Sequence, residues 1–506
     1  MSFKQMRKET DAFKPLSLAL LLIFYVGIAL MDGPQWCVDT PSYVSMDFGR
    51  EPVYPLFLTL LRWIFNAFPG GVLRDLELYD LPGYLTGAAI LQSILWAYAA
   101  FYLGCFVYDA ARMAFSREKT RLLSACAMLL QVAVAVLNRF VAKRGSMYSE
   151  SIMTESLAMP LFVIFMVMLS RAFIRYDEEK VIKLLLLSVL MASIRKQMLI
   201  VLITWAGASF ILHLFVKKYR SLKNFSYTVI AVVLAFVLIN LLDASYNLAV
   251  RGVFAKHIGD SRGGLDTVLY TASEEDAELF EDADPKDYPD LSLLYTRIYN
   301  ECKSRELTFD YAPEDYLEMA DHYAQSYDVI GFDIVLVMCD EYVEEYFPEL
   351  DRVHAQIKEN QVEGMLFMVL LAQRIRDVMA GGAKGTVKVF LTNIFKAFVI
   401  SNANISPRIL VKISAVIYIL FLAGFLFRLV KRALLRNGEG GGAYTETALL
   451  FSFVVFAGLC VNCVVTGALI FPQPRYMCYS FGLFYQALVM CYTTSKYVKN
   501  YSSKGH

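Results

Sequence analysis

Residues 37–61, with the sequence CVDTPSYVSMDFGREPVYPLFLTLL, combine acids, an arginine, tyrosines and prolines just beyond the first long apolar run of the chain. A charged side chain beside hydrocarbon is costly unless it faces water or a partner, so ionisable residues clustered against a membrane indicate a functional site. We therefore interpret Asp39 as the chemical centre of this stretch and Arg50 with Glu51 as its electrostatic frame.

Other interpretations of this stretch stay open at the level of sequence. Asp39 is followed by Thr40 and Pro41, a pattern that is typical of a helix N-cap with proline in the first turn. Asp32 and Asp47 lie close by and are rival acids for a chemical role. Capping and catalysis do not exclude each other, so both remain hypotheses for Asp39.

Basic residues recur in the other loops that we expect on the same side of the membrane as Asp39. Arg195 and Lys196 are the sharpest example, because they separate two apolar runs and so occupy a tight turn. Single residues of this kind often extend toward lipid headgroups. Several that converge from separate loops instead predict a pocket in which arginine and lysine bind a phosphate. The residues in question are Arg50, Arg139, Lys143, Arg144, Arg195, Lys196 and Arg475.

The composition is that of a membrane protein. Of the 506 residues, 57% are hydrophobic, and the mean hydropathy of +0.46 exceeds what the core of a soluble fold requires. The formal net charge is +0, so no overall field indicates a nucleic-acid partner. The 9 cysteines lack metal-ligand spacing, since Cys460 and Cys463 lie in an apolar segment without a second pair, and we expect no metal site.

Apolar segments of roughly 20 residues can cross a hydrocarbon core about 30 Å thick. About ten such segments predict an all-α polytopic membrane protein. The fifth segment is short, and residues 53–68 form an extra apolar stretch that we predict to be an interfacial hairpin. The ten predicted transmembrane helices are 16–31, 81–106, 122–137, 157–173, 181–194, 198–215, 227–242, 409–429, 447–470 and 477–492.

Lysine and arginine are concentrated in alternate loops, and such basic loops stay on the cytoplasmic side of a membrane. With ten spans, this pattern predicts cytoplasmic N- and C-termini and an extracytoplasmic position for Asp39 and for the long segment after residue 242. The first apolar run follows a basic region, as a signal peptide would. Because Asp32, Gly33 and Pro34 provide no small-residue cleavage site, we predict an uncleaved first span.

The long segment between the seventh and eighth spans is acidic and rich in tyrosine, which predicts a mostly helical extracytoplasmic lobe. Its acids indicate a solvated surface or a calcium site, although no D-x-D-x-D-G loop occurs. The sequence leaves open whether Cys302 and Cys339 pair. Residues 385–401 predict an interfacial helix. The predicted domains are an N-terminal transmembrane module (1–243) with a first outer loop (32–80), the lobe (244–406) and C-terminal transmembrane helices (407–506).

Several familiar catalytic motifs are missing from the sequence. The 5 histidines form no H-E-x-x-H pattern, no P-loop or G-x-S-x-G elbow occurs, and no G-x-G-x-x-G opens a helix after a strand. These observations argue against a zinc protease, a nucleotide hydrolase and a serine-type acyltransferase.

Five short motifs follow one another along the chain: VDTPSY, REPVYP, MTESLAMPLFVIFM, SIRKQ and FPQPRYM. Their order, and their agreement with the predicted outer face, resemble the GT-C superfamily of polytopic glycosyltransferases that use polyprenyl-phosphate sugars. Within the superfamily the chain resembles the branch of protein mannosyltransferases and lipid A aminoarabinose transferases. This resemblance covers most of the chain except the acidic lobe and implies a GT-C-like fold.

The resemblance also implies roles for individual residues. Members of the superfamily use a carboxylate in the first outer loop as catalytic base, which Asp39 matches best, and a positioned base typically contributes about 10²–10⁴-fold. The leaving phosphate needs cations aimed at its developing charge, and we assign this donor phosphate to Arg195, Lys196 and Arg475. A single lipid phosphate carries less charge than a pyrophosphate, so side-chain cations suffice, and neither a metal nor another cofactor is expected.

Further residues are assigned to the pocket with less defined roles. Glu155 caps its helix, orients within its span or contacts the pocket, and the sequence does not rank these roles. Tyr43 and Tyr476 either stack on a sugar or belong to the aromatic belt of the membrane interface. The pocket residues are Arg50, Glu51, Tyr43, Arg144, Glu155 and Tyr476.

The sequence thus predicts a multi-pass glycosyltransferase of the cell membrane that serves the cell envelope. It would move one sugar, with inversion, from a polyprenyl-phosphate lipid donor to a glycan, lipid or protein acceptor on the extracytoplasmic face. The alternative is a transporter or flippase of a lipid-linked glycan, in which the same cations bind phosphate without bond making; a polysaccharide polymerase or ligase is a third reading. A transferase needs Asp39 as a base, whereas a flippase tolerates Asp39→Asn.

Overall fold

The computed structural model describes residues 12–67, 82–140, 145–382, 384–403, 408–434 and 441–493. Within these ranges the chain is mostly helical, and its extended pairing is limited to an isolated parallel bridge between Gln35 and Ser151. The α-helices of these ranges are α1 (Phe13–Asp32), α2 (Thr40–Val44), α3 (Val53–Ala67), α4 (Gly83–Ala111), α5 (Arg117–Phe140), α6 (Glu155–Ile174), α7 (Glu178–Ile194), α8 (Leu199–Phe215), α9 (Leu222–Arg251), α10 (Arg262–Tyr270), α11 (Leu291–Ser304), α12 (Tyr316–Asp328), α13 (Leu336–Tyr346), α14 (Arg352–Met379), α15 (Lys384–Ala403), α16 (Arg408–Leu434), α17 (Gly441–Leu469), α18 (Pro474–Met477) and α19 (Phe481–Tyr492).

Eight helical segments of the described residues are long and apolar enough to cross a membrane. The shortest have 20 residues, which at a rise of about 1.5 Å per residue match a hydrocarbon core about 30 Å thick. The chain is therefore a helical multi-pass membrane protein. The eight segments are Phe13–Asp32, Gly83–Ala111, Arg117–Phe140, Glu155–Ile174, Lys196–Phe215, Leu222–Arg251, Ile409–Arg432 and Gly442–Leu469.

A helix is present at each of the ten predicted spans, but two of these helices are short. The fifth span corresponds to α7 with 17 residues, and the tenth corresponds to α19 with 12 residues. Both are shorter than the roughly 20 residues that a perpendicular crossing requires, so a count of ten spans stays a prediction. The apolar stretch at residues 53–67 forms the single helix α3 and not the predicted hairpin, since its middle, residues 56–65, contains no Gly, Pro, Asn or Asp at which the chain could reverse.

Helices α10 to α14 surround a hydrophobic core that is separate from the core of the spanning helices. Tyrosines supply much of this second core, and Tyr295 is fully buried in it. Cys302 and Cys339, whose pairing the sequence left open, both lie in this core as free thiols. We term α10 to α14 the lobe and the helices around the first core the bundle.

α15 contributes to both cores. Val389, near its start, belongs to the core of the lobe, whereas Ala397 and Ile400, near its end, belong to the core of the bundle. The ammonium group of Lys396, near the middle of α15, pairs with Asp321 of α12 at 2.7 Å. The segment that the sequence predicts as an interfacial helix therefore also joins the lobe to the bundle.

Gly467 marks a close approach between α17 and α15. A Cβ atom at this position would lie 2.9 Å from the backbone nitrogen of Ile394 and 3.0 Å from its Cα atom. Because backbone atoms cannot move aside without displacing a helix, Gly467→Ala is expected to destabilise the protein by about 1–3 kcal/mol. The thermal unfolding midpoint of the purified chain measures this effect. Gly27→Ala in α1 is the control, because among the described residues no atom outside the neighbouring backbone of α1 lies within 4 Å of its Cβ position. Equal midpoints would contradict the close approach.

Candidate functional site

A cavity of about 1560 Å³ lies between the lobe and one end of the bundle. The bundle side is formed by the loop around α2, the turn between α7 and α8, and the segment around α18. The lobe side is formed by α10, the end of α12 and part of α14. Typical small-molecule pockets measure about 300–1,000 Å³, so this cavity has room for more than one substrate group.

Backbone pairing holds the first loop against the segment before α6. The amide nitrogen of Gln35 donates to the carbonyl oxygen of Glu150, and the amide of Ile152 donates to the carbonyl of Gln35, both at 2.9 Å. The hydroxyl of Thr40 then donates to the carbonyl of Ile152 at 2.9 Å. Thr40 is fully buried, so these bonds fix the position of its neighbour Asp39.

The carboxylate of Asp39 faces the cavity. Asp39 occupies the N-cap position of α2, but its side chain forms no hydrogen bond to the amides of that helix. Oδ1 instead accepts from Nη2 of Arg50 at 2.8 Å, and Oδ2 lies 3.5 Å from Nη1 of Arg475. The side chain remains 28% exposed, so it can contact a bound molecule.

The surrounding cations determine the protonation state of Asp39. Burial, the largest single effect, would raise the pKa of this carboxyl group, but the charge and hydrogen bond of Arg50 together with the charges of Arg475 and Arg195 outweigh it. The net effect lowers the pKa of Asp39 below its ordinary value. Asp39 is therefore ionised at neutral pH and can accept a proton or a hydrogen bond.

Arg50 and Glu51 connect the first loop to the other walls of the cavity. The Nε atom of Arg50 donates to the hydroxyl of Ser42 at 2.8 Å, and its guanidinium lies 4.7 Å from the ring centroid of Tyr43. Oε1 of Glu51 accepts from the backbone nitrogen of Lys196 at 2.5 Å. Glu51, which the sequence predicted to act on Asp39 by its charge together with Arg50, thus also joins the first loop to the α7–α8 turn through a hydrogen bond.

Arg195 is held by a buried acid behind the cavity wall. Its Nη1 atom lies 3.0 Å from Oε1 of Glu155, whose side chain is 1% exposed, and donates to the hydroxyl of Thr154 at 2.9 Å. The guanidinium also lies 5.1 Å from the ring centroid of Tyr476. Glu155 thus holds the charge of Arg195 in place, a role that the sequence did not assign to it.

Lys196 is the end of a chain of charged and polar groups. Its ammonium group pairs with Asp260, whose second oxygen lies 2.8 Å from Nε2 of His257. The other ring nitrogen of His257 lies 2.5 Å from Asp243 at the end of α9. His257 is only 7% exposed. The buried pair of Asp243 and His257 therefore positions Asp260, which in turn positions the ammonium group of Lys196.

Arg475 is the least compensated of the three predicted phosphate ligands. Its Nη2 atom donates to the hydroxyl of Tyr476 at 2.7 Å, whereas its Nη1 atom lies 3.5 Å from Oδ2 of Asp39. Its buried Nε atom has no hydrogen-bond partner among the described residues. Arg475 therefore has a donor available for a bound anion.

The structure brings together most of the residues that the sequence singled out. Glu155 supports the wall from behind, and Arg144 lies outside the described residues. The rival acids are otherwise engaged, because Asp32 pairs with Arg139 and Asp47 accepts from the amide of Gly49 at 2.8 Å. The predicted residues that line the cavity are Asp39, Tyr43, Arg50, Glu51, Arg195, Lys196, Arg475 and Tyr476.

A polar network that sequence reasoning missed supports this wall. The side-chain nitrogen of Gln197 lies 3.2 Å from Oδ1 of Asn462 and 3.1 Å from the carbonyl oxygen of Tyr476. Asn462 is 1% exposed and donates to the same carbonyl at 2.9 Å. An asparagine within an apolar span is itself a signal of function, and it could have identified α17 as part of the site.

No protein-family model, curated protein or solved structure matches this chain. The chemistry of the site therefore follows from its own residues and geometry.

Proposed function

We propose that the chain transfers a sugar from a polyprenyl-phosphate donor to an acceptor hydroxyl, with Asp39 as general base and without a metal. The observation that carries the proposal is the arrangement around Asp39. Its carboxylate is ionised, partly exposed to the cavity and not used for helix capping, and two arginines lie beside it. A base next to cations suits a reaction in which a hydroxyl loses a proton while a phosphate leaves.

In the proposed reaction the acceptor hydroxyl gives its proton to Asp39 as its oxygen bonds to the anomeric carbon of the sugar. The bond between that carbon and the phosphate oxygen breaks, and polyprenyl phosphate leaves with the electron pair. Attack from the side opposite the leaving group inverts the anomeric configuration. Arg475, with its available Nε donor, is the best placed cation for the developing phosphate charge, and Lys196 and Arg195 add positive charge nearby.

Apolar side chains at the membrane end of the cavity support a lipid-linked donor. Leu199 and Ile203 of α8 and Val465 and Leu469 of α17 line the cavity. Ile203 is 42% exposed and Leu469 is 50% exposed. Because α8 and α17 belong to candidate spans, a lipid phosphate could enter the cavity while its hydrocarbon tail stays beside these helices.

The test measures the release of polyprenyl phosphate from a panel of labelled polyprenyl-phosphate sugars by the purified full-length chain. A crude envelope fraction supplies the acceptor, and parallel reactions contain a chelator. Release that requires the acceptor and survives the chelator is the expected result. Movement of a lipid-linked glycan across proteoliposomes, without release from any donor of the panel, would overturn the proposal in favour of a flippase.

The low pKa of Asp39 gives the proposal a pH signature. The ionised base is lost only as pH falls through the folded-state pKa, which lies below the ordinary value of about 3.9. Arg50→Gln removes the main interaction that lowers this pKa while burial still raises it, so the acid limb of the kcat profile is expected to move to higher pH. Arg297→Gln, at an exposed lobe pair, is the control. Identical acid limbs in wild type and Arg50→Gln would show that the protonation of a group other than Asp39 causes the fall of kcat at low pH.

A further inference from the structure

The lobe wall of the cavity is acidic, opposite the cations of the bundle wall. Asp266 of α10, Asp328 at the end of α12, and Glu359 of α14 all line the cavity, together with Asp333 in the turn that follows α12. Arg262 is the cation of this wall among the described residues. The proposed reaction uses none of these acids.

Asp266 is a buried acid with one carboxyl oxygen left unpartnered by the described residues. Its side chain is 3% exposed, and its Oδ1 atom has no hydrogen-bond partner within the described part of the chain. The carboxyl group fits against Gly331, where a Cβ atom would come within 2.4 Å of Oδ2. Gly331 lies in a π-helical turn, Val329–Val335, and such turns are frequent at functional sites. A buried carboxyl oxygen that lacks a partner in the free protein calls for one in the bound state.

The nearby arginine does not satisfy Asp266. Nε of Arg262 donates to Oε1 of Glu363 at 2.8 Å, and Nη2 lies 3.4 Å from Oε1 of Glu359. On the bundle side, Arg475 is near enough to lower the pKa of Asp328, but its closer contacts are with Asp39 and Tyr476. The four carboxyl groups of Asp266, Asp328, Glu359 and Glu363 therefore share little positive charge from the described residues.

The protonation behaviour of these four acids agrees with a shortage of cations. Burial, reinforced by Glu363 and Asp328 and opposed by Arg262, raises the pKa of Asp266 well above its ordinary value. Burial and the charge of Glu363 raise the pKa of Glu359 to about 7, and burial raises the pKa of Asp328 and of Glu363. A cation bound beside Asp266 and Asp328 would lower the pKa of both groups, whereas a neutral molecule would not.

An aromatic ring completes this wall. Phe332 lies between Asp328 and Asp333 in sequence, lines the cavity and is 57% exposed. Aromatic faces attract ammonium groups, and the attraction adds to that of neighbouring carboxylates.

We propose that Asp266, Asp328 and Phe332 form a subsite for a substrate group that carries a primary ammonium ion. The ammonium donates to the unpartnered Oδ1 of Asp266 and to Asp328, and Phe332 covers it. We assign this ammonium group to the acceptor, and this assignment rests on the proposed function. In that function the donor phosphate binds the cationic wall on the opposite side of the cavity. The acceptor would therefore carry an amine in addition to the hydroxyl that attacks the sugar.

The test is a binding measurement without donor, so its result does not depend on turnover. The full-length chain in lipid nanodiscs is heated with increasing concentrations of glucosamine or of N-acetylglucosamine at neutral pH. A ligand that binds the folded state raises the unfolding midpoint in a saturable manner. Glucosamine is expected to do so, whereas N-acetylglucosamine, which lacks the charge, is not.

Variants locate the binding site. Asp266→Asn retains a neutral polar group of the same shape, and Asp328 is exposed, so both Asp266→Asn and Asp328→Asn should fold. Each is expected to weaken glucosamine binding by about tenfold or more, as for a lost hydrogen bond to a charged group. Glu344→Gln, at an exposed acid of α13 outside the cavity lining, should leave the affinity unchanged. Equal responses to the two sugars, or unchanged affinity in both cavity variants, would overturn the proposal even where sugar transfer is confirmed.

Discussion

Replacing Asp39 by asparagine is expected to lower the rate of sugar transfer by about 10²–10⁴-fold while the protein stays folded. The amide keeps the size of the carboxyl group but cannot accept the proton of the attacking hydroxyl. Folding should persist because the side chain is partly exposed and does not cap α2. The measurement is the single-turnover release of polyprenyl phosphate from a saturating donor, together with the unfolding midpoint of each protein.

Asp47→Asn is the matched control for Asp39→Asn. Asp47 lies on the same loop and lines the same cavity, but its carboxylate accepts from the amide of Gly49 and is placed to stabilise a local turn. Its substitution should change the transfer rate less than tenfold, an energy below about 1.4 kcal/mol. An Asp39→Asn protein with wild-type transfer would remove Asp39 from the mechanism and would favour the flippase hypothesis.

Replacing Arg195 by methionine is expected to destabilise the protein by about 3–5 kcal/mol, the cost typical of a buried charge left unpaired. The carboxyl group of Glu155, which is 1% exposed, would then lose its ion pair and keep one hydrogen bond from the described residues, from the hydroxyl of Thr154 at 3.2 Å. The unfolding midpoint, or the fraction of folded protein recovered after purification, reports the loss.

A double substitution separates the pair from the individual side chains. If the unpaired carboxylate causes the loss, Arg195→Met with Glu155→Gln should be less destabilised than the sum of the two single variants. Arg297→Met is the control, because its pair with Glu341 is exposed and such surface pairs contribute about 0–1 kcal/mol. Additive losses in the double variant would show that Arg195 and Glu155 stabilise the fold independently.

The amino-acid sequence by itself determined the architecture to a large extent. A run of roughly 20 apolar residues must form its hydrogen bonds within a helix when it lies in a membrane. For this reason the candidate spans are visible without a structure, and eight of the ten predicted ones are long enough to cross. The polar turns that contain Asp39, Arg195 and Arg475 interrupt these runs, so the sequence also identified the loops that form the bundle side of the cavity.

Only the tertiary structure decided what each of these charges does. Arg475 lies 436 residues from Asp39 along the chain, and Arg195 lies 41 residues from Thr154. No helical or alternating period relates positions so far apart, because periodicity reports only local geometry. The structure alone therefore shows that Asp39 contacts two arginines without capping its helix, and that Glu155 engages Arg195.

The lobe gives the clearest contrast between the two levels of information. Its composition predicted helices and an acidic surface, but composition does not distinguish an exposed acid from a buried one. Asp266 and Glu359 line the cavity because α10 and α14 pack together in a core formed by residues distant in sequence, such as Leu265 and Leu366. Long-range packing of apolar side chains, which no local pattern records, is the physical reason that this wall faces the site.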